Sequence, residues 1–132
     1  KFSDFQVELS LTDGFYCMTE NNLQTYAERL MNSKICLIPR GTSCETYRFF
    51  EAIKFGCIPI TEDLPSHWFY NGSPAIRIKS WNDLTKILEK ILTNPDFMQE
   101  KHQEALWWWH NKCSESAVAQ YIVDKLEKII PS

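Results

Sequence analysis

This chain has no dense run of lysine and arginine, no C-x-x-C pair, little glycine, and no apolar stretch approaching the length of a membrane span. With the basic residues scattered and a net charge of −3, a nucleic-acid-binding surface built on phosphate neutralisation is excluded. Five cysteines (Cys17, Cys36, Cys44, Cys57 and Cys113) without C-x-x-C spacing disfavour a zinc site, and their odd number disfavours a complete disulfide framework. Cys36 and Cys57 fall within apolar runs and read as small buried hydrophobes. The four glycines and six prolines sit at element boundaries rather than in linkers. What is abundant is apolar: hydrophobic residues make up 44% and aromatics 14%, which places the chain among globular proteins. At 132 residues it reads as one domain, 1–132, large enough to bury about 65 to 70% of its unfolded surface. It opens at Lys1 without a methionine, so we expect a fragment of a larger protein, with the compartment left open.

The patterning alternates between periods of two and 3.6. Residues 6–11 alternate polar and apolar side chains and predict a strand, followed by a turn at Thr12-Asp13-Gly14. Residues 22–32 predict a helix with Leu23, Tyr26, Ala27 and Leu30 on one face. The short apolar run 34–38, ended by Pro39, predicts a central parallel strand buried on both faces. Thr42 and Glu45 have the spacing of a capping box, predicting a helix from there to about Phe55 that stops at Gly56. Residues 57–60 and 75–79 predict further strands, with an irregular aromatic connection over 64–71. Ser80 caps a helix over 81–92, Asn94-Pro95 opens another, and 115–129 form the last, with Val118, Tyr121, Ile122, Leu126 and Ile129 along one stripe. Alternating strands and helices predict an α/β unit, Rossmann-like and three-layered, with a mostly parallel sheet.

In such sheets ligands bind outside the carboxyl ends of the strands, and the loop Pro39-Arg40-Gly41-Thr42-Ser43 lies at one such end. A glycine-containing loop that turns a strand into a helix aims backbone N–H groups at one point, which suits a phosphate. Glu45, Arg48 and Glu51 recur every three residues and are expected side by side on the helix. One reading gives Arg40 and Arg48 the phosphates and Glu51 a pair of sugar or ribose hydroxyls. The other is a solvated helix face with i, i+3 ion pairs, in which Glu45 only closes the capping box. His67, His102 and His110 lack ligand spacing and read as surface or packing residues; His67, just after the second strand, is nearest the expected site. Three consecutive tryptophans, Trp107 to Trp109, spread around a helix, so at most two can face one ligand. Asn71-Gly72-Ser73 is a sequon that matters only in a secreted protein.

The order of motifs carries a resemblance. Ser33-Lys34-Ile35-Cys36-Leu37-Ile38-Pro39-Arg40-Gly41, then Tyr47-Arg48-Phe49-Phe50-Glu51-Ala52, then Gly56-Cys57-Ile58-Pro59-Ile60, with Glu62-Asp63-Leu64-Pro65 and the Trp-rich segment following, resemble the exostosin-type (GT47-like) glycosyltransferases. The chain is also similar to the ribitol xylosyltransferase group, through Glu45, Tyr47, Arg48, Glu51 and Ile78-Lys79-Ser80-Trp81. The resemblance covers about residues 25 to 130. It implies the C-terminal, donor-binding half of a GT-B enzyme that takes a nucleotide-sugar, most often a UDP-sugar, and transfers the sugar to the hydroxyl of a glycan or glycoconjugate acceptor. By position, Arg40, Gly41, Thr42, Ser43 and Arg48 would hold the diphosphate and Glu51 the ribose, with Glu45 beside them. No cofactor and no metal are implied, and the sequence has no Asp-x-Asp pair. The N-terminal acceptor domain of such enzymes, normally the source of the general base, is missing from this chain, so we expect it to be incomplete for catalysis alone. A Golgi lumen is implied for a eukaryotic exostosin-like protein and the cytoplasm for a microbial one. The alternative is a non-catalytic module of the same fold that binds a nucleotide or a partner; an unrelated phosphate-binding domain would need an acidic cluster or nucleophile elbow that the sequence lacks.

Overall fold

A computed structural model describes residues 6–7 and 20–130. Three short runs, each holding at least one isoleucine, build the sheet: β1 (Ile35–Ile38), β2 (Ile58–Thr61) and β3 (Ile76–Arg77). All pairs are parallel in the order β1-β2-β3, with Ile35 opposite Ile58, Leu37 opposite Ile60, and Ile60 opposite Ile76. Parallel neighbours cannot be joined by a hairpin: α2 fills the connection from β1 to β2, and a helix-free loop over 62–75 joins β2 to β3. The chain runs α1 (Glu20–Asn32), β1, α2 (Tyr47–Lys54), β2, β3, a 3₁₀ turn (Trp81–Asp83), α3 (Leu84–Leu92), α4 (Pro95–Trp108), a π-turn (Trp109–Cys113) and α5 (Glu115–Ile129).

Because side chains alternate across a strand, the sheet feeds two cores. Ile58 and Ile60 of β2 join Ile78 and Ile91, with Leu84, Ile87 and Leu88 of α3 packed against them. Cys36 and Ile38 of β1 face the other core, where Phe49, Ala52 and Ile53 of α2 meet Leu30, Tyr70 and Trp108. β2 is buried at every position and is the central strand. The sequence pattern predicted that place for β1, and this is corrected: β1 flanks β2 among the described residues, and Leu37 is exposed.

Several boundaries follow from local chemistry. Asn94 Oδ1 accepts the Phe97 amide at 3.0 Å with Pro95 in the first turn of α4, as the spacing predicted, and Ser114 Oγ accepts the Ala117 amide at 3.3 Å to start α5. α2 ends in a Schellman closure, with Cys57 N–H donating to Ala52 O at 2.9 Å and Gly56 N–H to Ile53 O at 3.0 Å. Gly56 takes φ +74°, and a Cβ there would lie 2.5 Å from His102 Cε1, so only glycine fits.

Other boundaries differ. The helix predicted from Thr42 begins five residues later, at Tyr47, and there is no capping box: residues 42–44 form a bend, and Thr46 is the N-cap. The cause is Ser43, whose hydroxyl accepts the Glu45 amide at 3.1 Å and so offers that segment a local alternative to the helix. The strand predicted over 75–79 is reduced to Ile76–Arg77, although Ile78 N–H still donates to Thr61 O at 2.9 Å. Helix 81–92 is split into the 3₁₀ turn and α3. The stripe predicted on α5 exists as a pattern, yet Ile122, Leu126 and Ile129 are exposed; Tyr121 stacks on Trp68 with centroids 4.1 Å apart. The strand expected over 6–11 and the turn at 12–14 lie outside the described residues, except Gln6 and Val7, which are not in a strand.

Candidate functional site

The carboxyl end of β1 opens into residues 39–46, which carry most of the predicted site residues. Arg40, Gly41, Thr42 and Ser43 are exposed there. The Gly41 amide donates to Ser43 O at 3.1 Å, and Ser43 Oγ is tied to the backbone of Glu45. Gly41 has no positive φ, and a Cβ added to it would meet nothing within 4 Å. The fold therefore does not require glycine at this position.

Arg48 and Glu51 sit one turn apart on α2, as predicted, and a residue from another helix joins them. Tyr26 of α1 donates its hydroxyl to Glu51 Oε2 at 2.7 Å, and the positive charge of Arg48 acts on the same phenol. Burial, then the hydrogen bond and charge of Glu51, push the Tyr26 phenol up to about 12, with Arg48 pulling the other way; it stays protonated and donating at neutral pH. Cys36 of β1 lies within electrostatic range of both charges, but burial dominates and its thiol is pushed up to about 11.

Glu45 does not share this grouping. The expectation that Glu45, Arg48 and Glu51 flank one another on a single helix face is corrected, because Glu45 precedes the helix. Its carboxylate instead lies 4.0 Å from His67 Nε2, both side chains being about half exposed, and its charge acts on the Tyr70 phenol. The Tyr70 phenol is pushed above its ordinary range, first by burial and then by Glu45. His67 thus reaches the loop after β1, as its position predicted, while His102 packs elsewhere, with Nδ1 2.8 Å from Gly56 O.

Two buried oxygens at this end of the sheet, Thr46 Oγ1 before α2 and Glu62 Oε2 after β2, have no hydrogen-bond partner among the described residues. Native buried polar atoms are usually satisfied; a third such atom, Ser73 Oγ, lies before β3, away from this end of the sheet. Among the described residues no three His, Cys, Asp or Glu side chains converge as metal ligands would. The tryptophan run divides its roles: Trp108 is buried and donates to Phe69 O at 2.9 Å, Trp109 lies under Lys54, and Trp107 is exposed. Asn71 is exposed and its side chain bonds to Ser66.

Tyr26 and Tyr70 are the residues that sequence reasoning missed. Tyr26 was placed on the apolar stripe of α1; the signal available was that a buried phenol needs a partner, but nothing local names one 25 positions away.

An α/β unit with its polar residues gathered at the carboxyl end of a parallel sheet fits the transferase resemblance, and comparison with known proteins points the same way. Residues 13–68 match the family model described as the RXYLT1 C-terminal domain. Ribitol-5-phosphate xylosyltransferase 1 of Mus musculus is 33% identical over 114 aligned residues, covering 71% of this chain and 25% of that protein. The Homo sapiens protein of that name is 32% identical over the same length. Exostosin-1 of Bos taurus is 30% identical over 90 residues, 67% of this chain and 11% of that protein. The chain is a homologue of these glycosyltransferases, and it spans about a quarter of the length of the xylosyltransferases and about a tenth of exostosin-1. No solved structure matches it.

Proposed function

We propose that the chain is the donor-binding domain of a glycosyltransferase with a GT-B arrangement, taking a nucleotide-sugar, first of all a UDP-sugar, for transfer to an acceptor hydroxyl. The observation that carries this reading is the meeting of Arg48 and Glu51 at Tyr26, on the helix that follows the exposed 40–43 loop at the carboxyl end of β1. A carboxylate accepts hydroxyl protons from a ribose diol; a guanidinium and backbone amides meet a diphosphate. Arg40, Arg48 and the 41–43 backbone would face the phosphates and Glu51 the ribose, with Glu45 and His67 at the rim.

Such an arrangement has a transition-state logic. As the sugar leaves, the nucleoside diphosphate gains negative charge, and fixed cations and N–H dipoles stabilise that charge more than the ground state. The acceptor and the group that deprotonates it are expected from residues beyond the matched segment, since the relatives are several times longer.

Isothermal titration of the full-length protein with UDP, UDP-sugars, GDP and ADP tests the reading. UDP is expected to bind, and Arg48→Ala to weaken it by at least about tenfold, the loss of one charge-assisted contact. Absence of heat with every nucleotide would sink the donor-site assignment.

A further inference from the structure

We propose that Tyr26 is a positioning residue of the donor grip: its phenol fixes the Glu51 carboxylate so that a ribose diol is met by a preset acceptor. This rests on the reading of Arg48 and Glu51 as donor contacts. The hydroxyl donates to Glu51 Oε2 at 2.7 Å, and the bond joins α1 to α2 across 25 residues, so it is tertiary rather than helix-local. A phenol has one proton and spare lone pairs. The proton goes to Glu51, and the positive charge of Arg48 acts on the same phenol.

The donor and acceptor count leaves room for substrate. A carboxylate has about four acceptor positions, of which Tyr26 uses one. Glu51 Oε1 and the remaining capacity of Oε2 are enough for the two hydroxyls of a ribose. An unrestrained Glu side chain would have to lose rotamer freedom when substrate binds; tethered by Tyr26, it has lost much of that freedom beforehand. Tyr26 thereby makes the site selective for ligands that carry a diol.

The test uses Tyr26→Phe in the full-length protein, titrated with UDP and with 2′,3′-dideoxy-UDP. Tyr26→Phe is expected to weaken UDP about tenfold, as loss of a hydrogen bond to a charged group does, and to leave dideoxy-UDP within about twofold of wild type. In a Glu51→Gln background it should add nothing. Equal losses for the two nucleotides would mean a merely structural tyrosine and would overturn the proposal, as would unchanged UDP affinity. If wild type binds no UDP, the donor reading falls and this inference with it; if wild type binds UDP, Glu51→Gln loses it and Tyr26→Phe keeps it, only Tyr26 falls. A second measurement needs no variant: the ¹³Cζ resonance of Tyr26 should move with saturating UDP and stay in place with dideoxy-UDP. A resonance unmoved by saturating UDP would count against the proposal.

Discussion

Gly41 and Gly56 look alike in sequence, each following a β1 or α2 boundary, but the structure separates them. Gly56 is demanded by the fold, with φ +74° and the His102 ring against its Cα. Gly56→Ala is expected to cost about 2 to 4 kcal/mol, from left-handed backbone strain plus overpacking, seen as a lower midpoint in urea. Gly41 has open space around it, so Gly41→Ala should leave the midpoint unchanged within about 0.5 kcal/mol. If the backbone approaches a diphosphate there, the same substitution lowers nucleotide affinity. A loss of stability in Gly41→Ala would mean that the loop has a structural demand of its own. At this scale the sequence was partly legible. Arg48 and Glu51 are visible by spacing, whereas their link through Tyr26 is a contact between distant positions that no local pattern encodes.

Elements were read best where a cap or breaker is written into the chain. Asn94-Pro95 sets the start of α4, and Gly56 sets the end of α2. The start of α2 was misread because Thr42 and Glu45 have capping-box spacing while Ser43 competes for the Glu45 amide. The helix periodicity of α5 was correct, but periodicity marks an apolar face without saying what covers it. In the described structure that helix is anchored chiefly by its N-terminal turns, where Tyr121 stacks on Trp68 at an interplanar angle of 12° and Ser114 is buried beneath the cap. Tyr121→Ala should remove about 1 kcal/mol of aromatic contact and speed deuterium exchange across residues 115–129, while β1 and β2 keep their protection. Uniform acceleration over the whole chain would instead make α5 part of the global cooperative unit.

For the molecule as a whole, the buried thiols set an alkaline limit. Burial pushes Cys36 and Cys113 up from the ordinary 9 to about 11, and Cys57, with the nearby Cys36 adding to the shift, to about 12. The folded state disfavours the thiolate, so the stability contribution is complete below pH 9 and lost as pH rises through the folded values. Thermal midpoints should be flat from pH 7 to 9 and fall between about pH 9 and 12, and Cys57→Ala should flatten that fall. A midpoint that holds steady to pH 11 would contradict the burial of these thiols. Cys57 is the most constrained, with its thiol directed at Leu30 O at 3.2 Å and Ser33 O at 3.3 Å.

The all-parallel pairing of the sheet has a consequence for how the chain acquires its shape. Partners such as Ile35 and Ile58 stand a full strand-helix-strand crossover apart, and the described sheet contains no hairpin that zips up from a turn. Each strand contact therefore waits on the closure of a long loop, which raises contact order and slows folding. Helical segments with strong local caps, α4 and α5, are expected to form early on that account, with the β1–α2–β2 crossover as the rate-setting step. The segment that carries Arg48 and Glu51 is thus expected to be among the last to reach its working geometry, which pulsed hydrogen exchange during refolding would check.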